Sequence, residues 1–298
     1  MARDSDCVAF LRWALPCLGL RWEGYRRVRR QVCRRASRRA AELGLSDLAG
    51  YRSHLERNPG EWRVLGGSTG ITISRFYRDR GVFAFLEREV LPELAAAAVD
   101  AGRSRFDVWS AGCASGEEPH SITVIWDLAV GPRFPRLELR VLATDIDREL
   151  LRRAKRACYP ASSLKELPSG RLHAAFVGRD DEYCLRPEHR RHVELRHHDV
   201  GAGAPDGPFD LVLCRNLAFT YFETGRQRRV CDHLALALRC GGALVVGSHE
   251  RLPPGVTSFE PWPGSKGVYR RSAIAPRRRR IGDSATSPPI AGGRAGAP

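Results

Sequence analysis

The chain has 298 residues, 43% of them hydrophobic, and a formal net charge of +15 with a pI near 10.0, so it can bury a core and still present a strongly cationic surface. The charge is almost all arginine, since the only lysines are Lys155, Lys165 and Lys266, and it suits an acidic partner: a carboxylate-rich protein, nucleic acid or an anionic membrane. No apolar run approaches the ~20 residues of a membrane span, and nine cysteines without a C-x-x-C pair and nine histidines without H-E-x-x-H exclude the usual dithiol and zinc patterns.

From Cys7 to about Pro59 the pattern is helical. Tyr25, Val28, Val32, Ala36 and Ala40 recur three or four apart on one stripe, while nine arginines between Arg21 and Arg39 crowd the other faces. Glu23 and Glu42 are too few to pair them, so this stretch reads either as a solvated face or as a docking surface for an acidic helix. Gly44 stops the helix, and Ser46-Asp47 caps another through Leu48, Tyr51 and Leu55. Asn58-Pro-Gly60 then closes a small all-α domain, residues 1–59. Residues 60–71, with Gly66-Gly-Ser-Thr-Gly70, read as a linker.

Beyond it strands and helices alternate as in a parallel sheet with crossover helices. A helix is expected over Arg78–Val99, then strand Phe106–Ser110, a helix over Ile122–Ala129, strand Leu139–Ala143 and a helix over Glu149–Ala157. Strands follow at Val193–Leu195 and Phe209–Cys214, then a long helix over Arg226–Leu238, a strand at Ala243–Gly247 and an edge strand at Val268–Arg270. Residues 159–192 break the alternation with Pro160, Pro168 and Pro187, and their short pieces near Glu182–Leu185 and Arg190–Leu195 look like an inserted hairpin. Residues 273–298, with Arg277 to Arg280 and little to bury, read as a disordered basic tail. The fold class is therefore α/β, a Rossmann-like domain over 72–272 with a small β insertion, preceded by a small all-α domain. Arg12 interrupts the one signal-like stretch, Val8 to Leu20, and the cysteines are scattered, so a cytoplasmic protein with reduced thiols and no membrane insertion is expected, and a monomer is the expected state.

The stretch Phe106-Asp-Val-Trp-Ser-Ala-Gly-Cys-Ala-Ser-Gly-Glu-Glu-Pro-His-Ser121 carries the most chemistry. An apolar strand enters a Gly112/Gly116 turn and meets Glu117 and Glu118 where a helix begins. In a dinucleotide site such a turn hands a pyrophosphate to a helix N-terminus, whose unpaired N–H groups favour an anion. Two carboxylates there oppose a phosphate, and the spacing Gly-x-x-x-Gly departs from Gly-x-Gly-x-x-Gly. They suit a ligand rich in hydroxyls and positive charge, and S-adenosylmethionine, with its ribose, ammonium and sulfonium, fits. In open parallel sheets the ligand lies beyond the carboxyl ends of the strands. Asp145, at the end of the second strand, can accept from a ribose diol or cap the next helix, which Asp147 can do equally well. Asp199-Val200 after the third strand lies where an adenine amino group can be bonded, and Cys214-Arg-Asn216 after the fourth faces the reacting end. His197-His198 lack partners at ligand spacing, so no metal is expected.

Five ordered motifs resemble those of the CheR-type chemotaxis methyltransferases, the S-adenosylmethionine-dependent protein-glutamate O-methyltransferases that esterify receptor glutamates. They are Trp109-Ser-Ala-Gly-Cys-Ala-Ser-Gly-Glu-Glu-Pro119, Ala143-Thr-Asp-Ile-Asp147, Phe209-Asp-Leu-Val-Leu-Cys-Arg-Asn216, Ser74-Arg-Phe-Tyr-Arg-Asp79 and Gly247-Ser-His-Glu250. The similarity covers nearly everything from Cys7 to Arg271. It implies a class I methyltransferase fold and S-adenosylmethionine as cofactor. Thr72, Ser74, Arg78, Gly112, Gly116, Glu118, Asp145, Asp199, Val200, Arg215 and Asn216 are implied as cofactor contacts. Arg78 and Tyr221 are implied beside the transferring methyl and the substrate, and the Arg21–Arg39 helix as the dock for an acidic, chemoreceptor-like helical protein.

The chain departs from that pattern in several places. Thr72 and Asp199 stand where asparagine is usual, and His120 where tyrosine is common. Asn216-Leu-Ala-Phe-Thr-Tyr221 is one residue longer than the common form, and the hairpin at Gly178–Glu188 is short. The expected function is transfer of methyl to protein glutamates to give glutamyl methyl esters. The alternatives are another protein or a small acid as acceptor, or a cofactor-binding module without catalysis. Nucleic-acid methylation lacks support, because Asn216 is followed by Leu217-Ala218 and no Asn/Asp-Pro-Pro-Tyr/Phe motif stands after the fourth strand. The tail arginines read as a solvated charge cluster, the alternative being nucleic-acid binding without specificity.

Overall fold

The computed structural model describes residues 4–273, so the basic tail expected beyond lies outside the described residues. The chain opens with five helices: α1 Asp4–Cys17, α2 Trp22–Tyr25, α3 Arg29–Glu42, α4 Leu48–Arg57 and α5 Glu61–Ser68. The α3 stripe is buried as its spacing requires, through Val32, Cys33, Ala36 and Ala40. Asp47 caps α4 by accepting from Gly50 N at 2.7 Å.

Two expectations are corrected in this region. Residues 61–68, read as linker, are helical. The glycines give little propensity, but the ends are held from outside: Glu61 is buried and takes Arg39 Nε and Nη2 at 2.8 and 3.0 Å and the Tyr51 hydroxyl at 2.9 Å. At the other end Arg35 Nη1 donates to the Ser68 and Gly70 carbonyls at 3.1 and 2.5 Å. Nor are all the thiols reduced, since Cys7 is joined to Cys33 and Cys158 to Cys184. Packing of α1 on α3 brings the first pair together, and the second pair is cross-strand in register.

A long rod follows, α6 Arg80–Phe85 and α7 Leu91–Asp100 joined by a π turn at Leu86–Val90. Then come β1 Arg105–Ala111, α8 Glu117–Ile125, β2 Glu138–Asp145 and α9 Arg148–Arg156. The insertion contributes β3 Cys158–Pro160, α10 Arg171–Ala175, β4 Phe176–Arg179, β5 Glu182–Leu185 and α11 Pro187–Arg190. The chain closes with β6 Val193–His197, β7 Phe209–Leu213, α12 Ala218–Tyr221, α13 Thr224–Ala237, β8 Leu238–Val245, β9 Phe259–Pro261 and β10 Val268–Arg271.

The main sheet runs β6-β2-β1-β7-β8-β10-β9, parallel except that β10 is antiparallel to both of its neighbours. The expected hairpin is β4–β5, with β3 on its other side as a separate three-stranded sheet. Residues 193–195, which were also expected in that hairpin, instead pair with β2 at the edge of the main sheet. Strand pleat sends alternate residues to opposite faces. Val108, Val141, Leu211 and Val245 pack with α6–α8 in one cluster. Trp109, Leu142, Val212 and Leu244 belong to the other, which also takes in α13 and the buried residues of α1–α5. The amino-terminal helices thus share a core with one face of the sheet. Strand order reverses at β1/β7, the point where parallel sheets of this type hold a ligand.

Candidate functional site

The glycine turn leaves β1 at that reversal. Gly112 and Gly116 take φ of +79° and +91°, the left-handed region that glycine enters without cost. Gly112 N and Cys113 N both donate to the Thr144 carbonyl, at 2.8 and 2.9 Å, pinning the turn to the end of β2. A Cβ on Gly116 would lie 2.9 Å from Ala154 Cβ, and one on Gly112 would lie 2.3 Å from Leu217 Cδ2. Asp145 Oδ2 accepts from Ala114 N at 2.8 Å, so this carboxylate faces the turn. Capping of α9 falls to Asp147, whose Oδ1 accepts from Glu149 N and Leu150 N at 2.8 and 3.2 Å.

Across the turn lies an ion network. Glu118, at the start of α8, accepts from Ser110 Oγ at 2.8 Å and from Arg215 Nη1 at 3.2 Å. The other terminal nitrogen of Arg215, Nη2, reaches Asp79 Oδ2 at 2.8 Å and the Arg78 carbonyl at 2.7 Å. Its guanidinium also lies over the Phe83 ring, 5.0 Å from the centroid. Beside it Glu250, buried, accepts from Asn216 N and Gly247 N at 2.7 and 2.6 Å and from Thr220 Oγ1 at 2.6 Å. A Cβ on Gly247 would lie 2.2 Å from Asn216 Nδ2, so glycine there makes room for the asparagine amide.

Non-glycine residues rarely take positive φ, and several that do cluster here: Tyr77, Asp79, Ala114 and Asn216, at 55°, 63°, 51° and 54°. Such conformations persist where surrounding contacts over-determine them, typically at sites.

Tyr221 closes α12, the loop with the extra residue. The amino-terminal helices clamp that loop: Arg21 N donates to the Tyr221 carbonyl at 2.9 Å, and the Arg21 guanidinium donates to the Thr220 and Phe219 carbonyls. Tyr25 packs on the Tyr221 ring at 4.9 Å. Burial raises the Tyr221 phenol; the charge of Arg78 opposes the rise and Glu250 adds to it. Burial also raises Glu118, opposed by Arg215, Ser110 and Arg78. Arg78 therefore lies within electrostatic reach of both, with its Nη1 donating to the Ile73 carbonyl.

The structure thus brings Gly112, Gly116, Glu118, Asp145, Arg78, Arg215, Asn216 and Tyr221 to one face. Thr72, exposed, and Ser74, half-buried, lie on the irregular stretch that leads to Arg78. Asp199 turns to its own loop, accepting from Gly201 N at 2.8 Å with Arg226 Nη2 at 3.7 Å, while Val200 beside it is buried. Asp79, Ser110 and Glu250 are the residues sequence reasoning left out of the site. All three stood in the family motifs, but Asp79 pairs with Arg215, and Glu250 takes Asn216 N and Thr220 Oγ1, from segments distant in sequence. Among the described residues no group of three His, Cys, Asp or Glu is arranged to hold a metal, and no helix is long and apolar enough to cross a membrane.

The residues present fit S-adenosylmethionine. Two half-buried carboxylates, Glu118 and Asp145, both raised by burial, flank the turn and oppose a phosphate there. Arg215 Nε is buried without a partner, a donor left for a bound carboxylate or hydroxyl. Fold and site define a Rossmann-like, S-adenosylmethionine-binding methyltransferase domain. Residues 72–268 match the family model described as CheR methyltransferase, SAM binding domain, and the chain belongs to that family. It is 35% identical to the chemotaxis protein methyltransferase of Listeria monocytogenes over 182 residues, 61% of this chain and 66% of the relative, so the match spans just under two thirds of that protein. The chemotaxis protein methyltransferase of Salmonella typhimurium is 30% identical, with 78% of this chain and 79% of the relative covered. That of Escherichia coli is also 30% identical, covering 74% and 76%.

Proposed function

We propose that the chain transfers the methyl of S-adenosylmethionine to glutamate side chains of an acidic, chemoreceptor-like helical protein, giving glutamyl methyl esters. The observation that carries this reading is that Arg215, which binds Glu118 beside the Gly112–Gly116 turn, also holds the Arg78 carbonyl, with Tyr221 within electrostatic reach of Arg78. The cofactor, when bound, supplies an electrophilic methyl on a sulfonium. Gly112 and Gly116 let the backbone approach it, Asp145 accepts from its ribose, Glu118 meets its positive end, and Asn216 with Arg215 borders the reacting side. Asp199 and Val200, with Thr72 and Ser74, complete the binding set.

A glutamate acceptor is ionised near pH 7, so no general base is required. What remains is alignment and exclusion of water. Arg78 holds the incoming carboxylate by charge-assisted hydrogen bonds, and Tyr221 fixes one of its oxygens. Both orient; neither moves a proton.

The acceptor docks on the amino-terminal helices. Of the nine arginines between Arg21 and Arg39, Arg21, Arg29, Arg35, Arg38 and Arg39 have internal partners. Arg26, Arg27, Arg30 and Arg34 are exposed with no salt bridge among the described residues, and they form the docking stripe. A cytoplasmic monomer belongs to the same reading; the two disulfides count against the cytoplasm, and the oxidation state of Cys7 and Cys33 in freshly lysed cells decides the point.

The test is to incubate the purified chain with S-adenosylmethionine radiolabelled in the methyl and lysate of its own host. Protein-bound label that leaves at mild alkaline pH supports the ester. Label that resists base, or cofactor binding with no label on protein, overturns it.

A further inference from the structure

A cleft of about 440 Å³ opens between the start of α6, the exit of β8 and the β9–β10 turn, lined among others by Asp79, Arg80, Phe85, Arg88, Ser248 and Lys266. Its position follows from the topology. Val268 pairs antiparallel with Val245 at the carboxyl end of β8, which puts the turn before β10 on the same face of the sheet as the glycine turn. Arg215 divides that face. Nη1 binds Glu118 on the cofactor side, and Nη2 binds Asp79, which lines the cleft.

The rim is cationic and unsatisfied. Arg80, Arg88 and Lys266 are exposed, and among the described residues none has a salt bridge or side-chain hydrogen bond. Glu89, exposed next to Arg88, makes no salt bridge with it among the described residues, and the two other carboxylates nearest in sequence are engaged elsewhere. Asp79 is held by Arg215 at 2.8 Å, and Glu87 by Arg171 at 2.6 Å. Three free cations around one concavity, one ion pair away from Arg78, match a chain of carboxylates.

We propose that this cleft is a second acceptor contact, apart from the docking stripe on the amino-terminal helices, and that it binds the acidic polypeptide segment immediately flanking the glutamate to be modified. The inference rests on the proposed function for what is transferred, but not for what is bound. Arg80, Arg88 and Lys266 read the charge of the flanking residues and deliver the central glutamate past Asp79 to Arg78. Rim charges of this kind act mainly on encounter and affinity and are screened by salt.

The probe is a fluorescent helical peptide with one central Glu and Glu at the flanking positions, beside a twin with Gln at the flanks. Anisotropy is measured on the full chain saturated with S-adenosylhomocysteine, and methyl transfer is followed in parallel with S-adenosylmethionine. The expected result is that wild type prefers the Glu-flanked peptide. The triple variant Arg80→Gln, Arg88→Gln, Lys266→Gln should lose about tenfold in affinity for it, little for its twin, and most of the salt dependence. Affinity for S-adenosylhomocysteine should hold, which shows that the variant is folded. Arg133→Gln, Arg136→Gln and Arg191→Gln remove equal charge beside the start of β2 and should leave peptide affinity unchanged. Equal binding of both peptides, an unaffected triple variant, a control that weakens binding as much, or displacement of the peptide by a single-stranded oligonucleotide overturns the proposal. Peptide held through the cleft but never methylated keeps the cleft and removes the proposed reaction.

Discussion

On one side of Arg215 the glycine turn, Glu118 and Asp145 are held by specific hydrogen bonds, whereas on the other Arg80, Arg88 and Lys266 stand exposed around a cleft, none of them in a salt bridge among the described residues. The same contrast runs through the amino-terminal helices, where Arg35 and Arg39 are tied into α5 while Arg26, Arg27, Arg30 and Arg34 are exposed with no salt bridge among the described residues. Groups that in the proposed reading serve a small cation are preorganised by partial burial and by each other. Groups proposed to serve a polypeptide partner are left uncompensated at the surface, where the partner would bring the counter-charge. A charged residue's role is thus told less by its type than by whether the fold has already neutralised it.

The sharpest way to break this contrast is to remove the residue on its boundary. Arg215→Ala leaves Glu118 and Asp79 without their shared cation, and losing one partner of a buried pair costs about 3–5 kcal/mol. Urea denaturation should show a loss of that size together with loss of cofactor binding; a loss under about 1 kcal/mol would place Arg215 among the weakly contributing surface pairs.

Arg78→Ala separates orientation from binding. Turnover on a glutamate acceptor should fall about hundredfold, more than affinity for the cofactor does, as for a mispositioned reactant. Full turnover with only cofactor affinity reduced contradicts the orienting role.

An effect read only against pH belongs to the scaffold beneath the cofactor side. Burial drives the His120 imidazole from its ordinary 6.5 to about 3, with Arg190 and His189 adding to the shift. Tyr159 gives its hydroxyl hydrogen to the Ser115 carbonyl at 2.9 Å, so neutral His120 donates to Tyr159 Oη through Nδ1, at 2.9 Å. The unfolded chain takes up a proton at His120 where the folded chain does not. Stability from this group is therefore complete above about 6.5 and declines as pH falls toward about 3, by at most about 1.4 kcal/mol per unit. Glu118 and Asp145, raised by burial, act oppositely: their destabilisation is relieved as pH falls. Comparing wild type with His120→Gln isolates the imidazole. The variant should lose less stability between neutral and acid pH, and parallel profiles would contradict the buried neutral state.

How much of this was legible in the sequence follows the same line. The glycine turn, Asp145 and Asn216 were readable because strand, turn and helix are contiguous, and glycine spacing with an acid at a strand end is local information. Asp147 settled the competition for the α9 cap only once the backbone was placed, and Asp199 found its partners in its own loop. The Arg215–Asp79 pair spans 136 residues, and no periodicity connects its members. Gly66-Gly67 argued for a linker on propensity alone, yet Glu61 and Arg35 hold α5 in place, a tertiary override of a weak local preference. The disulfides escaped notice for a related reason. Each closes a separation of 26 residues with no spacing signature, and only the neighbouring positions of α1 and α3, and of β3 and β5, bring the sulfurs together.

Calorimetric titration with S-adenosylhomocysteine, with ADP-ribose as competitor, tests most directly whether the Gly112–Gly116 turn with Glu118 and Asp145 forms a pocket for a cationic donor. Binding to wild type that Asp145→Asn weakens about tenfold, as for loss of a charge-assisted hydrogen bond, with no displacement by ADP-ribose, is the expected result. A pocket that ignores S-adenosylhomocysteine, or that takes the phosphorylated nucleotide in its place, contradicts it.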